Sequence, residues 1–460
     1  MRSAPVAFAL VASACARYTP APLGPGDTAA AYQSRRLDTA ELRAYLAAHG
    51  AAPADGWRSS DLALVALYYQ PALDRARAQW RSARAGERTA AARPQPDLQG
   101  ELGYAPGAQA LESRWLAAIN AVFTVELGGK RGARLAAARA RTAAAVADLE
   151  ETAWRVTRVV RAGAVQLAAA EERLADAELG AERTGAFAAR LRQRYAEGAL
   201  ARSDLAAIET EDADARAALL RERALVAAAR DGLAQAAGLP PAALAGHPIA
   251  PEAAPSCAAD ATDSLQTVAL HRRPDLGRAL AGYAIAEAEL RLAVAGAYAD
   301  LSLGPGYTWD QGIGRWSLVL ALPRLPLNGN RGPIAEATAR RREEAARFAE
   351  RQQGLLEAVA ASAAACRVAL AELAGADSLR RATARRAELA RAAYDRGEIG
   401  ASELEPIELA DARVLRELHA ARRRLAEAGM AQEMAIGAWP PGEIRWPDPR
   451  QAPRPEGVSP

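Results

Sequence analysis

The sequence predicts a mainly α-helical protein with a small β part, built as one long-helix hairpin unit used twice. Three observations carry this reading. The chain repeats itself: Tyr195, Gly198, Ser203, Leu205, Ile208, Glu209 and Asp212 recur as Tyr394, Gly397, Ser402, Leu404, Ile407, Glu408 and Asp411, at a constant offset of 199 (394 minus 195). Two long stretches, 133–194 and 334–391, are rich in Ala, Arg, Glu and Leu and nearly free of Gly and Pro. Four short segments alternate in polarity, two before each long stretch. A repeat this long is no solenoid unit, since solenoid periods run ~20–50 residues.

Further blocks extend the duplication upstream. Leu127, Gly129, Arg131 and Gly132 recur as Leu327, Gly329, Arg331 and Gly332. Pro71, Leu73, Arg75, Ala76, Asp97, Leu98, Gly103 and Tyr104 recur as Pro274, Leu276, Arg278, Ala279, Asp300, Leu301, Gly306 and Tyr307. The blocks keep their order, which divides the chain into repeats at 57–239 and 264–437 joined by a linker at 240–263.

Taken in order, residues 1–14 read as a secretory signal. Arg2 precedes an apolar run from Val6 to Val11, then the small residues Ala12, Ser13 and Ala14, then Cys15. That ending resembles a bacterial lipoprotein box, in which the cysteine becomes the lipid-bearing N-terminus; the alternatives are a plain signal peptide or an apolar start with an incidental cysteine. Residues 15–56 read as an N-terminal tether and equatorial segment, with Pro/Gly-rich chain to about 36. A helical stretch from 37 to 93 is interrupted by Pro53 and Gly56 and stopped by Pro94. Strands follow at 97–104 and 115–127.

The stretch 133–194 has apolar seam positions at Leu149, Val156, Val160, Leu167 and Leu174, a heptad-like spacing that suits a paired helix. After Gly198 a second helix runs to about 238, with Ile208, Leu219, Val226 and Leu233 on its seam. The second repeat follows the same plan: helix 264–297, strands 300–309 and 316–322, long helix 334–391 and last helix 402–436. Residues 438–460 read as a disordered Pro-rich tail.

Composition excludes several function classes. Net charge is +3 from 58 basic and 55 acidic residues, interspersed, so no basic patch marks a nucleic-acid partner. His49, His247, His271 and His419 are scattered, and Cys15, Cys257 and Cys366 lack metal or redox spacing, so no metal site or cofactor is expected. The sequence allows a Cys257–Cys366 disulfide but does not favour it. No nucleophile, base and oxyanion donor cluster, so no enzyme is expected. No segment after the signal offers ~18 uncharged apolar residues, so a membrane role would have to use strands or a lipid. Four strands cannot close a barrel, because single-chain barrels start near 8 strands. An open sheet in lipid would leave unpaired edges.

Three motifs give the chain a resemblance to the TolC family of outer-membrane efflux channels over about Trp57 to Gly437. They are Tyr-x-x-Gly-x-x-x-x-Ser-Asp/Glu-Leu at Tyr195 and Tyr394, the strand-to-helix entries Leu127 to Gly132 and Leu325 to Gly332, and the Pro-x-Leu block opening each half. The entry sequences look most like the cobalt–zinc–cadmium heavy-metal subgroup. The resemblance implies a homotrimer. Four strands per chain would build a 12-stranded transmembrane β-barrel, and the long hairpins an α-barrel reaching through the periplasm. It also implies a periplasmic adaptor and an inner-membrane pump, of the resistance-nodulation-division type. Drug efflux or polypeptide secretion would be alternative tasks of the same family. From another class, a soluble coiled-coil scaffold would explain the heptads but not the paired strands.

The resemblance places Tyr195, Gly198, Ser203, Leu205, Tyr394, Gly397, Ser402 and Leu404 at the periplasmic tips, where an adaptor docks. An ordinary helix turn needs the same glycines. It places Asp204, Glu403 and Glu405 at the pore gate, where three copies would form carboxylate rings attractive to cations. The competing role of each carboxylate is to complement the first turn of a helix. Pro406 stands where some relatives are acidic. Trp115, Tyr307, Trp309 and Trp316 are candidates for an aromatic girdle at the membrane interface, with core packing as the alternative.

Overall fold

A computed structural model describes residues 18–51, 53, 56–104, 106, 113–250, 256–258, 260–310, 312–322, 327–438, 448 and 450. The signal and lipidation readings at 1–15, and most of the tail reading, lie outside the described residues.

The first repeat is preceded by helices α1 (Pro25–Gln33) and α2 (Ala40–Ala48) and opens with α3 (Ser59–Tyr69) and α4 (Pro71–Ala91). The segment read as a tether therefore contains a helix. Pro25 sits in its first turn, where a missing N–H costs nothing, and Asp27 complements the dipole there. Strands β1 (Asp97–Tyr104) and β2 (Trp115–Val125) lead into α5 (Lys130–Ala196) and α6 (Arg202–Ala236). At 67 residues, α5 is about 100 Å long.

A short helix α7 (Pro241–Leu244) begins the linker. The second repeat comprises α8 (Thr262–Arg272), α9 (Pro274–Ala295), β3 (Leu301–Asp310), β4 (Ile313–Ala321), α10 (Arg331–Asp395) and α11 (Ala401–Ile436). Pro71 and Pro274 each start a helix at equivalent points, with the preceding residue pushed into extended conformation. Strand β4 begins three residues earlier than the sequence suggests, because its register with β3 continues to Asp310↔Ile313.

The four strands form one antiparallel sheet in the order β1-β2-β3-β4. Tyr104 pairs with Trp115, Ile119 with Tyr307 and Tyr307 with Trp316. Alternation then sorts the sheet into two faces. One carries Leu98, Leu102, Ile119, Phe123, Leu318 and Leu320, with the aromatics at its far end. The other carries Gln99, Glu101, Asn120, Thr124, Ser302 and Arg315.

The main core lies where α2, α3, α5, α6 and α7 meet. Leu42, Leu46, Leu62, Leu64, Leu149, Leu167, Leu233 and Leu244 are fully buried there. The seam residues Leu149, Val156, Val160 and Leu167 all enter this core, as the heptad spacing requires. A smaller cluster in the second repeat joins Leu265, Ala269, Leu276, Leu355, Val359, Ala363 and Ala435. Cys257 and Cys366 form a disulfide, which the sequence did not favour; folding brings their Cα atoms to 5.7 Å across 109 residues. Helix α10 contains an 18-residue window apolar enough, by length and composition, to cross a bilayer, with at most two charged residues in it. Part of that apolar character serves packing: α10 lies against α11 and α9 and buries Leu355, Val359 and Cys366.

Candidate functional site: hairpin tips and an exposed apolar sheet

The two tips have the same construction. Helix α5 is capped by Glu197 and α10 by Arg396, and each cap is followed by a glycine with positive φ, Gly198 at 76° and Gly397 at 73°. Gly198 N–H donates to Tyr195 O at 3.0 Å and Ala199 N–H to Arg194 O at 2.9 Å. Gly397 N–H donates to Tyr394 O at 2.8 Å and Glu398 N–H to Ala393 O at 2.9 Å. This pair of bonds satisfies the last helix carbonyls, and the left-handed residue it needs is why both positions are glycine. A Cβ there would meet nothing within 4 Å, so backbone conformation alone selects glycine.

Below each turn, an apolar residue three or four places into the next helix locks the hairpin. Leu205 is buried with Ala188, Leu191 and Ile208, and Leu404 is buried at the equivalent point. Tyr195 and Tyr394 remain partly exposed, and the Arg202 guanidinium lies over the Tyr195 ring at 5.7 Å. Ser203 is exposed, its hydroxyl 3.4 Å from Asp204. Ser402 is in α11, on the first turn.

Asp204 and Glu403 are solvent-exposed in the first turns of α6 and α11. Both can complement the helix dipole and still face a ligand. Glu405 differs: it accepts from the Arg190 guanidinium of the other hairpin at 2.6 Å. It works as a link between hairpins within this chain. A cavity of about 260 Å³ beside it is lined by Phe187, Arg190, Arg391, Glu405 and Glu408.

The sequence reading missed the basic partners of two recurring acids. Arg192 pairs with Glu209 at 3.3 Å, and Arg391 pairs with Glu408 at 2.6 Å. These arginines are themselves 199 residues apart, so the offset contained the signal. The hydrogen bond that Arg391 donates to Glu408 raises the Arg391 pKa above its ordinary value. At the second turn, the Arg396 hydrogen bond holds Glu398 below the usual carboxylate range.

At the opposite end, the apolar sheet face is bare. Trp316 is 81% exposed, Leu102 74% and Leu318 74%. Trp115 and Trp309 are also exposed, so the aromatics do not pack into this chain's core. Tyr104 stacks on Trp115 with centroids 4.8 Å apart, and the equivalent pair Tyr307 and Trp316 is 5.0 Å apart. Both outer strands, β1 and β4, keep open edges. At the helical side of the sheet, Lys130 pairs with Asp300 at 2.7 Å, and Arg134 pairs with Glu126 while donating to the carbonyls of Ala90 and Ala92. These bonds tie strand ends of both repeats to the helices of the first. Among the described residues, no group of three or more His, Cys, Asp or Glu side chains could hold a metal ion.

A small sheet with an apolar outer face, continued by two very long helical hairpins, is the fold of outer-membrane efflux channels. Residues 64–239 match the family model Outer membrane efflux protein. The chain superposes on the outer-membrane channel OprN with a TM-score of 0.68 and 20% identity, covering 92% of this chain and 98% of that one. It is similar to the outer membrane protein VceC of Vibrio cholerae, with a TM-score of 0.66, 19% identity and coverage of 82% and 96%. CusC, described as undergoing conformational changes on folding and transmembrane channel formation, gives 0.63, 17%, 82% and 92%. These identities are similar and single out no subgroup. No curated protein sequence matches at a significant level. The matched family model and the matched folds are those of outer-membrane channels.

Proposed function

We propose that the chain is the outer-membrane channel of a tripartite efflux system, acting as a homotrimer. One observation carries this: a four-stranded sheet with a wholly apolar exposed face, two open edges and a polar opposite face. Water does not tolerate such a face, and lipid does not tolerate the open edges. Three copies joined edge to edge would remove both conflicts, forming a 12-stranded barrel with lipid outside and polar residues lining the lumen. The aromatic pairs Tyr104–Trp115 and Tyr307–Trp316 would then lie at one membrane interface.

The long hairpins would continue the lumen through the periplasm and present Gly198 and Gly397 to an adaptor protein, with an inner-membrane pump of the resistance-nodulation-division type behind it. Asp204 and Glu403, repeated by three-fold symmetry, would make the entrance attractive to cations. Together with the entry motifs at 127–132 and 325–332, this favours heavy-metal cations as cargo. Cys15 would carry the lipid anchor. The test is mass measurement of the detergent-purified protein together with conductance in planar bilayers. Trimers that conduct, with cation preference lost in the Asp204→Asn/Glu403→Gln variant, are expected. A non-conducting monomer would refute the reading.

A further inference from the structure

The two repeats hold their equatorial helices in different ways, and the difference falls on the Cys257–Cys366 bridge. In the first repeat α3 is buried all round, every residue but Ser60, under the cover of α2. Its counterpart α8 buries only Leu265 and Ala269. Besides the small cluster around those two residues, a short set of attachments keeps α8 and the adjoining linker on the second hairpin. Gln266 Nε2 donates to Leu356 O at 3.1 Å. Ala258 N–H donates to Gln432 Oε1 at 2.6 Å. Gln432 is buried and its Nε2 finds no acceptor. The disulfide joins the linker to α10.

The two sulfurs are unequal. Cys366 is 2% exposed and packed with Ala369 and Ala428, whereas Cys257 is only partly buried against them. Beside it, Ser256 forms part of the wall of a cleft of about 610 Å³ between α5 and α11, whose other walls include Val165, Ala169 and Leu425. Cys257 is thus the more exposed of the two cysteines and the one whose chain neighbour borders the cleft.

We propose that Cys257–Cys366 is a thiol–disulfide exchange site that fastens the inter-repeat linker and α8 to the second hairpin, and that its reduction releases them locally. The thiolate of a dithiol reductant attacks Cys257 Sγ, the Sγ–Sγ bond breaks, and Cys366 leaves as a thiolate that takes up a proton. The second thiol of the reductant then displaces Cys257, which leaves as a thiol. The bridge gains two electrons and two protons, and the reductant becomes a disulfide. Residues 256–272 lose their covalent attachment. The first repeat, whose larger core holds α3 without a bridge, keeps that helix in place.

The test is amide hydrogen exchange on the full-length detergent-purified protein, with and without dithiothreitol and without denaturant. Thiols are counted by alkylation and intact mass. Reduction should complete under native conditions and speed exchange in 262–272 at least tenfold, with 59–69 unchanged. The Cys257→Ser/Cys366→Ala variant should show the fast exchange without reductant. The proposal is overturned if reduction requires denaturant, if α8 exchange is unchanged in fully reduced protein, or if α3 accelerates equally.

Discussion

Helices α3 and α8 descend from one sequence, at an offset of 203 (265 minus 62), and end in opposite environments. Leu62 and Ala66 correspond to Leu265 and Ala269, and all four are buried. On the other faces, Leu64, Tyr68 and Tyr69 are buried, while their counterparts Thr267, His271 and Arg272 are exposed. The cause is the cover: α2 contributes Leu42, Leu46 and Tyr45 over α3, and Tyr45 meets Tyr68 with ring centroids 5.1 Å apart. Where a helix has a cover, its outer face is apolar; where it has none, the face becomes polar and a covalent bond takes over part of the holding. A duplicated unit thus keeps one invariant stripe and adapts the rest to its surroundings.

The largest expected effect breaks the comparison at its covered side. Leu64→Ala should lower stability by about 2–5 kcal/mol through lost burial and a residual cavity. Thr267→Ala, at the equivalent exposed position, should stay within about 0.5 kcal/mol. Denaturant melts of the two variants read the difference; equal losses would show that the helices are not differently packed.

The tips, by contrast, should behave alike. Gly198→Val and Gly397→Val each force a β-branched residue to positive φ, at a cost of about 1–2 kcal/mol with no steric clash to add. Both should weaken adaptor-dependent efflux and leave trimers intact. Gly128→Ala should be worse than Gly198→Ala, because its Cβ would fall 2.4 Å from the Tyr298 ring. Similar melts for those two alanine variants would contradict the packing at the strand-to-helix entry.

Smaller still are the repeated ion pairs. Arg192→Ala and Arg391→Ala remove exposed partners of Glu209 and Glu408, and each should cost about 0.2–1 kcal/mol, less at high salt. Acid should separate the repeats again. Burial would raise the Asp275 carboxyl, but the hydrogen bonds and charge of Arg273 outweigh it and hold its pKa below the ordinary carboxylate value. A carboxylate with a depressed pKa adds stability above its unfolded value, and that stability is lost as pH falls through the folded one. The first repeat has Gln70 and Ala72 at these positions and no such group. Below about pH 4, the usual carboxylate range, α8 and α9 should loosen before α3 and α4. Hydrogen exchange at low pH reads this directly, and Asp275→Asn should abolish the difference.

Much of this architecture is written in local pattern. The offset of 199 located both tips, and heptad spacing identified Leu149, Val156, Val160 and Leu167 as core. Alternation found all four strands, because each has one apolar and one more polar face. What escaped depends on distant partners. Helix α1 looks like a linker, since Pro and Gly at its start mark a helix beginning as readily as a tether. The disulfide spans 109 residues, and nothing local brings Cys257 to Cys366. The ion pair of Glu405 likewise depends on Arg190, 215 residues away (405 minus 190).

The central claim is that three bare sheets close into one barrel, and native mass measurement of the detergent-purified chain tests it most directly. The account predicts a single species of three chains, with tryptophan fluorescence from the Trp115 and Trp316 region quenched by lipid-borne quenchers. A folded, stable monomer with its full β-sheet signal, whose tryptophans respond only to water-soluble quenchers, would contradict it.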